Sequence, residues 1–255
     1  MHEQFNEQQK EVLHLLKLLH DNDVLNHVVL IGSWAEYIYA QAGVLPGYTM
    51  TLRTIDVDFL VKNLRRPTDA ISLPALAKKE GYSIAHDVLM DTTKLFTPNG
   101  LEIEFLIPQK GSGEDRVLST NLGVNAQALR HLGAIVDNSL SVDFLGMKLQ
   151  VPCPEVYVLT KMIINHERKA EKQRKDCNSI IRLLPFIDFQ KLDSLYNAST
   201  KKEKARVREF IERHKENIIQ EIPLDTKIKL SDFESRNFTA AKSPKTEIEK
   251  DSPSY

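Results

Sequence analysis

Cysteine is almost missing from this chain. Its 255 residues contain two, Cys153 and Cys177, too few for a disulfide framework and in keeping with a reducing cytoplasm. An excess of charge of either sign is also missing: 34 Lys and Arg against 35 Asp and Glu leave a formal net charge of -1. That excludes a globally basic nucleic-acid binder and confines any affinity for polyanions to a local patch. No stretch approaches the roughly 18 consecutive apolar residues of a membrane span. The N-terminal MHEQFNEQQKEVLHLLKLL also lacks a basic segment followed by an uninterrupted apolar run, so neither export nor membrane insertion is expected. The N-terminal segment lacks a histidine pair at ligand spacing, since His14 and His20 lie six residues apart and share no helical face. What remains, at 42% hydrophobic and 27% charged, is an ordinary globular composition on a chain long enough to bury a real core.

The chemistry concentrates between Val28 and Val61. In the strand IDVDFLV, Asp56 and Asp58 face one side while Ile55, Val57, Phe59 and Val61 give the other side an apolar backing. Carboxylates at i and i+2 stand about 6.5 to 7 Å apart at Cα and repel each other. A hard divalent cation such as Mg²⁺ offsets that repulsion and accepts oxygen ligands. Upstream, a strand over Val28 to Ile31 meets Gly32-Ser33 and then a helical segment, Trp34 to Ala40. The free N–H groups and positive dipole end of such a turn suit a phosphate, although Gly-Ser is also a common turn dipeptide. The loop QAGVLPGYTM leads on to Leu52, Arg53 and Thr54, where Arg53 suits an anionic substrate or a surface carboxylate equally well.

An amphipathic helix over residues 5–20 precedes this stretch. After it, Leu73 to Glu80 reads as a helix stopped by Gly81, and Tyr82 to Val88 and Lys94 to Thr97 read as strands. Pro98, Asn99 and Gly100 make a hairpin turn. The strand leaving that turn, LEIEFLI, repeats IDVDFLV position for position: apolar, acid, apolar, acid, Phe, Leu, apolar. Glu102 and Glu104 share a face, and two strands with the same acid face point to a shared metal-binding cleft. A phosphohydrolase-type metal centre would need more histidine near these acids than His86 alone.

In their order, Gly32-Ser33, a helix, Asp56-Val57-Asp58 and a later carboxylate strand, these residues resemble the nucleotidyltransferase superfamily with the DNA polymerase beta type of fold. The Arg53-Thr54 lead-in, Pro108 after the Glu104 strand and the run VPCPEVYVLTKMIINHERKAEKQRKD resemble a largely uncharacterised bacterial nucleotidyltransferase family, over roughly residues 25 to 185. The resemblance implies an NTP and two Mg²⁺ ions. It gives Gly32 and Ser33 the triphosphate, with Arg53 and Thr54 beside the nucleotide, and makes Asp56 and Asp58 metal ligands. Glu104, which precedes Phe105-Leu106 as the family's acid precedes an apolar pair, matches the third carboxylate better than Glu102; many relatives carry aspartate there. Lys161 matches a phosphate contact, with Arg168, Lys172 and Asp176 as supporting members. Related toxin-like enzymes often carry a second acid three residues after the position of Asp176, where Ser179 stands here.

From Glu155 to Leu184 the pattern is helical, as one helix or as two broken near His166. Lys161, Asn165, Arg168, Lys172 and Asp176, at offsets of 0, 4, 7, 11 and 15, fall along one face. That face reads either as a solvated stripe or as a cationic wall opposite the acids. Between the halves, QKGSGEDR reads as a surface connector, Asn125 to Leu132 as a short helix, and Val142 to Leu145 with Met147 to Val151 as a hairpin. Residues 186–222 are expected to be helical, with TKKEKARVREFIERHKENII a solvated helix in preference to an RNA contact.

The fold class expected is α/β (α+β): a nucleotidyltransferase-type mixed sheet with flanking helices, followed by a mainly helical domain. The divisions are an N-terminal helix (1–26), a core (27–108), a connecting region (109–153), a helical domain (154–230) and a disordered tail (231–255). The expected function is a cytoplasmic, Mg-dependent enzyme that moves an NMP group from NTP to an acceptor hydroxyl on RNA, protein or a small molecule. The alternative is a non-catalytic NTP-binding regulatory or toxin-antitoxin-associated module acting with a partner protein.

Overall fold

The computed structural model describes residues 5–52, 54, 56–62, 71–87, 89–109 and 117–238. Arg53, residues 63–70 and most of the 109–116 connector lie outside the described residues. The apolar stripe Val12, Leu15, Leu16 and Leu19 buries one face of α1 (Glu7–Asp21), which starts in a capping box between Asn6 and Gln9. β1 (Val28–Ile31) is buried throughout and runs straight into α2 (Gly32–Gln41). The change of direction expected of Gly32-Ser33 falls on Gly32 alone, whose φ is +67°, and Ser33 already lies in the first turn of α2.

β2 (Asp56–Val61) pairs antiparallel with β1, which places Ile31 opposite Asp58. α3 (Leu73–Lys79), β3 (Ser83–His86) and β4 (Thr93–Phe96) lead to β5 (Glu102–Pro108). β5 lies parallel to β2, with Asp56 level with Glu102 and Asp58 level with Glu104. The two matching sequences therefore lie side by side with all four acids on one face. On the opposite face Val57, Phe59, Ile103 and Phe105 enter the main core, where the two Phe rings stack 6.0 Å apart. Further along the acid face, Leu60 and Leu106 join Val29, Ile31 and Val156 in a second apolar cluster. The sheet is thus covered on both faces at one end, and its acids sit half-buried at the other.

β4 pairs with the first half of β5, and β7 (Asn125–Leu129) pairs parallel with its second half; β6 (Val117–Ser119) flanks β7. The helix expected over Asn125 to Leu132 is therefore corrected to a strand, and only α4 (Gly133–Asp137) is helical. Ala, Gln and Leu favour helix, but the edge of β5 beyond Glu104 offers backbone partners. Alternate residues Ala126 and Ala128 then go into the core. β8 (Ser139–Phe144) and β9 (Met147–Pro152) form a separate hairpin whose turn residues, Leu145 and Gly146, both have positive φ.

α5 (Pro154–Ile164) and α6 (Ala170–Leu183) are separated by a 3-10 turn at Asn165–Glu167, so the helical run is broken near His166. α7 (Phe189–Ala198), α8 (Lys201–Glu221) and α9 (Leu224–Phe238) complete the helical part. α8 is not merely solvated: Val207, Phe210, Ile211 and Ile218 bury one stripe of it. α9 continues through Ser231, where the disordered tail is expected to begin. Leu230 and Phe233 are buried, and Phe233 and Phe238 pack on Tyr196, so three apolar anchors hold a segment of polar composition. The remaining tail lies outside the described residues. No helix among the described residues is long and apolar enough to cross a membrane.

Candidate active site

Three segments meet at one end of the sheet because β1 is antiparallel to β2 and β2 is parallel to β5. Gly32 leaves the end of β1, Asp56 and Asp58 open β2, and Glu102 and Glu104 open β5. Gly32 has φ of +67°, and a Cβ on it would stand 2.6 Å from Asp58 Oδ2. Only glycine permits both the conformation and the approach. At the N-cap, Ile31 supplies no side-chain hydrogen bond to α2, and the neighbouring Ser33 is exposed. The first-turn N–H groups are in this way left without a capping side chain. Thr54 Oγ1 donates to Asp56 Oδ1, and Gln8 on α1 donates to the Thr54 carbonyl, so Thr54 orients Asp56.

The acid face carries more negative charge than its surroundings compensate. Burial, followed by repulsion from Asp56 and Glu104, pushes the Asp58 carboxyl up to about 7, against the opposing influence of Lys172 and Arg168. Such a pair, Asp56 beside a strained Asp58, fits a divalent cation. Glu104, level with Asp58 on the neighbouring strand, adds to that rise and is also engaged by a cation. Lys94 on β4 lies opposite Glu104 and forms ion pairs with it and with Glu102, the latter at 2.5 Å. Burial lowers the Lys94 pKa, but the two glutamates more than reverse the effect and keep its ammonium charged. Among the described residues no group of three His, Cys, Asp or Glu side chains is arranged to hold a metal ion.

The run expected as one helix or two is broken between α5 and α6, and across the break Lys161, Arg168 and Asp176 still meet. Lys161 and Asp176 face each other, Nζ to Oδ1 2.6 Å, and an Arg168 guanidinium nitrogen stands 3.2 Å from Asp176 Oδ2. Asp176 is 2% exposed. The buried Asn165 fastens the break by donating to the Gln173 carbonyl at 3.0 Å. Lys161 and Asp176 are thus committed to each other inside the protein. Arg168, besides its pair with Asp176, and Lys172 lie close enough to Asp58 to oppose its rise, and Lys172 is exposed and forms no salt bridge among the described residues.

One residue of consequence, Glu36, goes unnoticed in the sequence. One turn into α2 and 2% exposed, it accepts from Ser179 Oγ at 2.5 Å, Arg182 at 2.9 Å, Tyr157 Oη at 3.3 Å, and Tyr48 Oη. Burial raises its pKa, but the hydrogen bonds from Ser179, Tyr48 and Arg182 more than offset this and leave the carboxyl below its ordinary value. Tyr157 Oη also stands 3.1 Å from the Gly32 carbonyl. The start of α2 is in this way tied to α5 and α6, with Ser179 serving Glu36. The available signal is a lone acid inside the apolar run WAEYIYA. Glu36→Gln is expected to cost about 1 to 3 kcal/mol, read as a Tm lower by about 2 to 4 °C per kcal/mol. An unchanged Tm would show that the network adds nothing.

Comparison with known proteins assigns the family. The profile of a family described as nucleotidyltransferase matches residues 10–197, which take in the start of α2, both acid strands and the Arg168 to Asp176 segment. No curated protein matches the chain. Among solved structures, an antigenic nucleotidyltransferase-like protein from Paracoccidioides brasiliensis is 16% identical, with a TM-score of 0.49 over 84% of this chain and 93% of that one. The solution structure of the antibiotic-resistance factor ANT(2'')-Ia is 14% identical, with a TM-score of 0.44 over 81% and 94%. Its crystal structure in complex with adenylyl-2"-tobramycin is 13% identical, with a TM-score of 0.46 over 80% and 99%. On the family match, which extends over most of its length, the chain belongs to the nucleotidyltransferase family.

Proposed function

We propose that this protein transfers a nucleoside monophosphate from an NTP to an acceptor hydroxyl and releases pyrophosphate. The observation that carries the reading is the contact of Gly32 with Asp58, which sets a helix start suited to phosphate against a carboxylate pair suited to a metal. The first turn of α2 and the Ser33 hydroxyl bind the triphosphate. Arg168 and Lys172 counter the charge that builds on the departing pyrophosphate. Asp56, oriented by Thr54, and Asp58 would hold Mg²⁺. When bound there, the ion lowers the pKa of the acceptor hydroxyl and offsets the triphosphate charge. A second Mg²⁺ would draw on Glu104 and would require its release from Lys94. A place for Arg53 beside the nucleotide rests on the family likeness alone.

The test is incubation of the protein with each α-³²P-NTP, Mg²⁺ and total cell extract, followed by separation of RNA, protein and small molecules, with Asp56→Ala alongside. Label is expected in one fraction and absent with the variant, which names the acceptor class and the base together. Equal labelling by Asp56→Ala would overturn the reading. The pairing of Lys94 with Glu104 is the observation that favours the other reading, a regulatory module that binds NTP without turning it over. NTP binding with no pyrophosphate released in any extract would establish that module instead.

A further inference from the structure

Lys94 stands where the carboxylate chemistry of the acid face would otherwise be completed. It is the cross-strand partner of Glu104 in the antiparallel β4 and β5 pair, so its side chain rises from the same face as Glu102 and Glu104. Its ammonium is in ion-pair contact with both glutamates, and all three side chains are only about one-third exposed. The next strand over carries Asp56 and Asp58, level with Glu102 and Glu104. Four acids on two adjacent strands are thus divided: among the described residues the pair on β2 forms no ion pair with a lysine, Lys172 acting on Asp58 only from a distance, and the pair on β5 shares one.

A divalent ion bridging β2 and β5 through Glu104 would have to take that carboxylate from Lys94. It would also leave the ammonium, anchored by its backbone on the neighbouring strand, beside a doubly charged cation. Both consequences disfavour the second ion. Resting on the metal-site reading of Asp56 and Asp58, we propose that Lys94 permanently occupies the place of a second divalent cation, so that the protein binds one ion per chain, at Asp56 and Asp58. The ammonium then supplies fixed positive charge on the β5 side of the cleft. It cannot exchange with the medium as a metal does, so the transferase needs to recruit a single ion.

The test counts ions without relying on turnover. The full chain is titrated with Mn²⁺ alone, and free Mn²⁺ is read from its paramagnetic resonance signal, for wild type, Lys94→Met, Lys94→Gln and Asp58→Asn. Thermal melts confirm that each variant is folded; Lys94→Gln serves if Lys94→Met is not. Wild type is expected to bind one ion. Removing the ammonium is expected to open a second site at least tenfold tighter than any second binding to wild type, and adding Glu104→Gln to that variant should close it again. Two ions on the wild type overturn the proposal and leave the metal-site reading standing. One ion on both wild type and the Lys94 variants also overturns it, because Lys94 would then hold no place that a metal can take. No binding to wild type, or binding unchanged by Asp58→Asn, overturns the metal-site reading and this inference with it.

Discussion

Asp58→Asn will abolish nucleotide transfer and, in the absence of metal, make the protein more stable at neutral pH. The loss of transfer is expected to be on the order of 10³-fold or more, because the substitution removes a charged oxygen from the place where a cation would act on the reacting groups. The gain in stability follows from the raised pKa. An unfolded aspartate titrates near about 3.9, whereas folded Asp58 titrates at about 7. Between those values the folded chain holds a proton that the unfolded chain has lost. Stability without metal therefore falls as pH rises from about 4 to about 7, and the deficit persists above that. Asparagine has the same shape and no charge, so the deficit disappears. A Tm several degrees above wild type at pH 8, from about 1 to 3 kcal/mol, is expected, with the gap closing toward pH 4. Added Mg²⁺ should narrow it by stabilising wild type alone. A variant that loses activity and stability together would contradict this account of Asp58.

Gly32→Ala will lower transfer by about 10²-fold while the rest of the fold persists. Two independent causes act at this position. Its φ of +67° is costly for any residue with a side chain, on the order of 1 kcal/mol or more. A methyl group there would also lie 2.6 Å from Asp58 Oδ2, well inside contact distance, so the carboxylate must swing away or the start of α2 must shift. Either movement separates the helix start from the carboxylate pair. Because β1 and β2 are paired up to Ile31 and Asp58, the strain has little room to spread into the sheet. Activity and thermal melts measure both parts. Wild-type turnover in a normally folded Gly32→Ala protein would mean that the close approach has no catalytic use.

The parts of this structure that could be read in advance are those set by local periodicity. The repeat of IDVDFLV in LEIEFLI is a period-2 pattern with an apolar backing, and the two strands do lie side by side in matching register. The strand at Asn125 to Leu129 could not be read that way, because its Ala, Gln and Leu are helix formers and the partners that override them are 21 residues away on β5. The helical offsets from Lys161 to Asp176 leave open whether one helix or two carry the stripe; the turn at Asn165–Glu167 decides for two and brings two of its members into an internal ion pair. Lys94 was within reach of the sequence. Counting back across the Pro98-Asn99-Gly100 turn puts Phe96 opposite Glu102 and Lys94 opposite Glu104, and a cation facing an acid there is a pairing expectation. Glu36 depends on donors 12 to 146 residues away, which no local pattern brings together.

The most direct measurement runs α-³²P-NTP and γ-³²P-NTP in parallel with wild type and Asp58→Asn in the presence of Mg²⁺ and cell extract. Transfer of a nucleoside monophosphate predicts α-label on an acceptor and γ-label in pyrophosphate, both with wild type alone. Label from the γ-position on the acceptor, or equal α-labelling by the variant, would contradict it.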